Sequence, residues 1–130
     1  MQNPVISNAP RILFVEDEYV IRDVFGQVLE LEGYAVSLAE HGQAALALLE
    51  NGLVPDLILL DLMMPVMDGF EFLKLLRQRP QFLETPVIVV SAFTTMSRSL
   101  PPGTGFLEKP VQFAELISSI RKHCPQAKRD

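Results

Sequence analysis

The run Leu57-Ile58-Leu59-Leu60 is apolar enough to lie inside a core, yet it stops at an acid, Asp61. Other apolar runs end on groups that could act with it. "RILFV" (11–15) leads into Glu16-Asp17-Glu18, "PVIVV" (86–90) into Ser91, and "TGFLE" (104–108) into Lys109-Pro110. If Asp17 and Asp61 converge, their repulsion has to be offset, since two carboxylates about 5 Å apart at an effective dielectric near 20 repel by roughly 3 kcal/mol. Raised pKa values, the Lys109 ammonium or a hard divalent cation could each do this. Asp17 is also placed to cap the helix that follows it. Asp61 caps nothing, because the next helix starts near Asp68-Gly69, and an uncompensated acid at the tip of a buried strand costs too much to be incidental. A serine at a strand end is ordinarily a turn residue and a single lysine a solvated charge. At matching strand ends they form a set.

The elements that must position this set alternate between two periods. The runs at 11–15, 56–60 and 86–90 are rich in Val, Ile and Leu, as strands buried on both faces should be. "YAVSLA" (34–39) alternates and 104–108 is short, so these predict edge strands. Between them, Ile21, Val24, Phe25, Val28 and Leu29 mark a helix ending before Gly33. Ala45, Leu48 and Leu49 mark a second before Gly52, and Phe72, Leu73 and Leu76 a third led in by Asp68. Phe113, Leu116, Ile117 and Ile120 mark the last, ending near Pro125. Right-handed crossovers then predict an α/β fold: a doubly wound, flavodoxin-like, five-stranded parallel sheet of order 2-1-3-4-5. Its active edge lies outside the carboxyl ends of the strands, where the polar set sits. Residues 1–10 and 125–130 read as flexible tails flanking a domain over 11–124, and Cys124 as a lone residue at a frayed end.

Composition narrows the class. The chain has 130 residues, 48% hydrophobic and 21% charged, which suits one globular domain. A net charge of -5 argues against direct nucleic-acid binding. One cysteine excludes an internal disulfide framework and a cysteine-based zinc site. Neither a basic leader followed by an apolar run nor an apolar stretch near 20 residues is present, so a cytoplasmic protein without membrane contact is expected. His41, at the start of the second helix, and His123, at the end of the last, do not read as ligands or bases; a cation suits the latter position.

"ILFVEDE", "DLILLDLMMPVMDGFEFL", "VIVVSA" and "FLEKP" together resemble the signature segments of receiver domains of two-component response regulators, over about residues 11–123. The resemblance implies that Asp61 accepts a phosphoryl group from a histidine kinase or histidine phosphotransfer protein. It implies that Glu16, Asp17, Asp61 and the main-chain carbonyl of Met63 bind Mg²⁺. Ser91 takes the place of the hydroxyl that follows the phosphoryl group, Lys109 that of the family lysine, and Phe106 that of the aromatic switch residue. The Lys109–Pro110 bond is commonly cis in such domains. The output would be a change in protein contacts, with the target unknown, and the chain a phosphoacceptor that assists its own phosphorylation and dephosphorylation. Met63 and Phe93 flank the phosphoryl position and could screen it from water.

Two departures stand out. Glu16 replaces the commoner Asp. "AFTTMSRSLPPGTG" (92–105) has few strong helix formers and closes on Pro101-Pro102-Gly103, so a shortened or irregular fourth helix is expected where the family carries a full one. That puts the family's usual dimerisation face in question. An Asp-nucleophile phosphohydrolase would carry Asp-x-Asp after the first strand, and a flavin carrier a Gly/Ser/Thr loop where Glu16-Asp17-Glu18 stands. A receiver that binds partners without phosphorylation is the remaining alternative. With no room for a DNA-binding domain, output through protein contacts is expected, unless the chain is cut from a longer regulator.

Overall fold

The computed structural model describes residues 9–64, 66–92, 100–101 and 103–124. Strands and helices alternate: β1 (Arg11–Val15), α1 (Tyr19–Leu31), β2 (Ala35–Ala39), α2 (Gly42–Glu50), β3 (Leu57–Asp61), α3 (Gly69–Leu76), a 3-10 turn (Pro80–Phe82), β4 (Val87–Ser91), β5 (Gly105–Glu108) and α4 (Phe113–His123). The strands form one five-stranded sheet in the order β2-β1-β3-β4-β5. Every pairing is parallel. This is the fold read from the sequence. The expected irregular fourth helix falls largely on residues 93–99 and 102, outside the described residues.

The side-chain period of two divides each central strand between two apolar layers. Leu13, Val15, Ile58, Leu60, Val87 and Val89 face α2 and α3, meeting Leu49, Phe72 and Leu76. Ile12, Phe14, Leu57, Leu59, Ile88 and Val90 face the other way, meeting Leu29 of α1 and Leu116, Ile117 and Ile120 of α4. Each fully buried side chain of this kind contributes about 1.5–3 kcal/mol relative to exposure. The three central strands are therefore held on both faces, while β2 and β5 are only partly covered.

The helix ends explain the glycines the periodicity picked out. Gly33, at φ +101°, lets its N–H reach the carbonyl of Glu30 while Tyr34 N–H reaches that of Leu29. That pair of bonds closes α1 in the left-handed turn glycine favours. Two local expectations change, for Asp17 and Cys124, and His41 gains a role. Glu18, not Asp17, caps α1, and its side chain makes no cap hydrogen bond. His41 has a structural role, since its Nδ1 accepts from Ala44 N–H at 3.1 Å and caps α2. Cys124 is not frayed; it is buried in the layer between the sheet and α4, and burial pushes its thiol up to about 11. At the other end the main chain is already tied to the sheet at Pro10, whose carbonyl accepts from Ala35 N–H.

The connection after β3 is the tightest. Asp68 caps α3 as expected, its Oδ1 accepting from Glu71 N–H at 2.9 Å. At Gly69 a Cβ would come within 2.7 Å of the Asp61 carbonyl oxygen and the Leu62 Cα, so only glycine lets the helix start this close to the strand end. Just before it, Val66 has φ +68° and is exposed. A β-branched residue is strained there, whereas asparagine enters this region readily. Val66→Asn is expected to raise the unfolding free energy by roughly 1 kcal/mol, with an unchanged denaturant slope in urea melts.

Candidate functional site

Strand ends bring the polar set together. Glu16 extends β1 by one residue, its N–H donating to Ala39 O at 3.0 Å, and its side chain turns into the sheet rim, where the residue is 1% exposed. Asp61, the last residue of β3, is 4% exposed. Register places Asp61 opposite Val90, so Ser91, itself buried, lies one residue further along the next strand. Lys109 follows β5 directly, and its N–H donates to Ser91 O at 2.9 Å. The Lys109–Pro110 peptide is cis.

The lysine ammonium sits between the two buried acids. Its Nζ lies 3.3 Å from Glu16 Oε1 and 3.5 Å from Asp61 Oδ2. The remaining carboxylate oxygens are held by main chain: Glu18 N–H donates to Glu16 Oε2 at 3.2 Å, and Met63 N–H to Asp61 Oδ1 at 3.2 Å. Asp17 is exposed, yet one oxygen from each of Glu16, Asp17 and Asp61 falls within 4.8 Å of the others. Oxygens so grouped are a donor set for a small hard cation.

One lysine does not neutralise this cluster. Burial raises the Asp61 carboxyl to about 7, the Glu16 charge adds to the rise, and Lys109 only partly opposes it. Burial also raises Glu16 against the pull of Lys109. Burial acts to lower the Lys109 ammonium, but Glu16 and Asp61 outweigh it and leave the group raised. Protonation is thus favoured at both buried acids, which titrate as a coupled pair beside one ammonium.

The sequence set thus converges: Glu16, Asp17, Asp61 and Lys109 share one site, with Ser91 at its margin. Met63 stands at the rim, 50% exposed, while Met64 is buried. Phe106, within β5, is half-buried against the layer facing α2 and α3. Phe93 lies outside the described residues. Sequence reasoning missed Arg22, whose Nη1 donates to Glu16 O at 2.8 Å and lies 3.4 Å from Asp17 O. The available signal was a cation near a helix N-terminus, where the dipole disfavours one.

A family model, the response regulator receiver domain, matches residues 12–121. The chain belongs to this family. Over 130 aligned residues this receiver is 40% identical to the alkaline phosphatase synthesis transcriptional regulatory protein SphR of Synechococcus elongatus, covering 91% of the chain and 50% of that protein. It is 39% identical to the transcriptional regulatory protein CpxR of Escherichia coli over 115 residues, covering 85% of the chain and 47% of that protein. The receiver therefore spans about half the length of these relatives. Among solved structures, chemotaxis protein CheY4 of Vibrio cholerae superposes with a TM-score of 0.80 at 30% identity, covering 88% of this chain and 98% of that one. Response regulator TrrA of Thermotoga maritima, solved in complex with Mg²⁺ and BeF, superposes with a TM-score of 0.77 at 30% identity, covering 87% and 97%. Among the described residues no helix is long and apolar enough to cross a membrane.

The raised carboxyl gives the site a pH signature. Well below the ordinary aspartate value of 3.8, Asp61 is protonated whether the chain is folded or unfolded. As pH rises toward about 7 the unfolded chain's aspartate ionises first, which drains stability from the native protein. Without divalent ions, Asp61→Asn is expected to be the more stable form at pH 7 and above. The advantage should shrink through this window and vanish in acid, as read by urea melts across pH.

Proposed function

We propose that this receiver accepts a phosphoryl group on Asp61 from a phosphohistidine donor, a histidine kinase or histidine phosphotransfer protein, and passes the change on through protein contacts. The observation that carries the reading is the buried Asp61 at the tip of β3, 3.5 Å from Lys109 and with an oxygen within 4.8 Å of oxygens of Glu16 and Asp17. Its carboxylate is mounted on a strand packed on both faces, so little motion is needed to present an oxygen for attack.

The donor set fits Mg²⁺. The oxygens of Glu16, Asp17 and Asp61 are close enough to share one ion, Lys109 alone does not balance their charge, and TrrA, of the same fold, was solved with Mg²⁺ and BeF. Glu16, Asp17, Asp61 and the Met63 carbonyl would hold the ion. When bound, it supplies the counter-charge that lets Asp61 stay ionised and the phosphoryl oxygens approach an acidic site. An Asp61 oxygen forms the new bond to phosphorus, the phosphorus–nitrogen bond to the donor imidazole breaks, and the imidazole leaves with the electron pair and takes up a proton. Lys109 is placed to hold one phosphoryl oxygen, and the Ser91 hydroxyl to donate to another.

The acyl phosphate replaces one negative charge by nearly two and adds acceptor oxygens. Drawing Ser91 and Lys109 toward it shifts the ends of β4 and β5 together, since the Lys109 N–H is bonded to Ser91 O. Phe106, half-buried two residues before the end of β5, is the aromatic side chain placed to change packing in response. The role is that of a phosphoacceptor assisting its own phosphorylation and dephosphorylation, acting in the cytoplasm. A net charge of -5 favours output through protein rather than nucleic acid.

Incubation with Mg²⁺ and acetyl phosphate or phosphoramidate is expected to add one labile phosphoryl group by intact mass. Asp61→Asn and addition of EDTA should each abolish the gain. A native protein that gains nothing under these conditions would sink the reading.

A further inference from the structure

We propose that Arg22 is a positioning residue for the acidic pair: by fastening the main chain on both sides of Asp17 it aims that carboxylate at the cation position. The inference rests on the metal-binding reading above and adds a residue to it.

Glu16 and Asp17 are held differently. The Glu16 side chain is buried, paired with Lys109 and bonded by Glu18 N–H. Asp17 is exposed and its carboxyl meets that of Asp61, so its direction depends on that contact and on the main chain that carries it. The peptide groups flanking its Cα bear the carbonyls of Glu16 and Asp17. Each peptide is planar, so fixing both carbonyl directions fixes φ and ψ at Asp17, and with them the direction of its Cβ. Arg22 Nη1 meets both oxygens, at 2.8 Å and 3.4 Å.

These bonds tie the chain entering α1 to its first turn, although a guanidinium, having only donors, does not cap the free N–H groups there. Helix α1 starts at Tyr19; its N-cap, Glu18, makes no side-chain cap hydrogen bond, and no acid lies in its first turn. A cation near that end sits against the helix dipole, a cost the two carbonyl contacts offset. The guanidinium is itself steadied: the Tyr19 ring centroid lies 5.6 Å from Arg22 Cζ, which accounts for an aromatic side chain that is otherwise 67% exposed. Groups that orient metal ligands without touching the metal typically carry about 10- to 100-fold in affinity. Because Arg22 acts through main chain on one ligand, the lower end applies.

The test is a Mg²⁺ titration of the native chain, Arg22→Met, Arg22→Lys and Tyr19→Leu, followed by amide NMR. Arg22→Met should bind Mg²⁺ about tenfold more weakly. Its metal-free spectrum should change around residues 16–18 and 22 and match the native one elsewhere. Arg22→Lys, which keeps a cationic donor on a shorter side chain without the planar fork, should recover part of the loss. Tyr19→Leu should cost about threefold alone and nothing further in the Arg22→Met background. Equal Mg²⁺ affinity in native protein and Arg22→Met overturns the inference and leaves the metal reading standing; a native protein that does not bind Mg²⁺ overturns both. If Arg22→Met does not fold, Tyr19→Leu decides: an unchanged affinity there overturns the proposal.

Discussion

Two acids buried at the ends of adjacent strands and sharing one lysine set the terms for the rest of this molecule. Glu16 and Asp61 are each within about 3.5 Å of Lys109 Nζ, so the ammonium answers one carboxylate's worth of charge and leaves the other unbalanced. Burial sharpens the imbalance, because the same exclusion of water that strengthens the ion pairs also penalises the surplus charge. A proton on Asp61, whose carboxyl burial raises, or added positive charge relieves the surplus. A cluster in that condition responds to small changes in charge nearby.

The architecture makes such a cluster tolerable. Parallel strands of the central sheet end at one rim, and crossover helices cover both faces, so side chains distant in sequence meet on a rigid base. Two apolar layers on either side of β1, β3 and β4 supply the stability that the acid cluster subtracts. Gly69 adds a local constraint: α3 begins against the carbonyl of Asp61, so the acid is pinned from behind as well as by its own strand.

Much of this is legible in the chain. Continuous Val, Ile and Leu runs separate central strands from alternating or short edge strands, and that distinction with crossover handedness yields the strand order. Asp61 stands out because an acid ending an apolar run has no bland use. What escapes is interaction between a side chain and the main chain of another segment, which leaves no periodic mark. Arg22 looks like any arginine on an amphipathic helix until its two carbonyl partners are known. His41 as a cap is unusual because a ring nitrogen does what Ser, Asp or Asn ordinarily does. Cys124 reads wrongly because the proline following it suggests an end, whereas its burial depends on the helix it closes.

The bond from Lys109 N–H to Ser91 O joins the termini of β4 and β5 through a single residue whose ammonium also reaches the acids. A tug on that side chain therefore travels along covalent backbone into the neighbouring strand's exit, as a lever turns about its pivot.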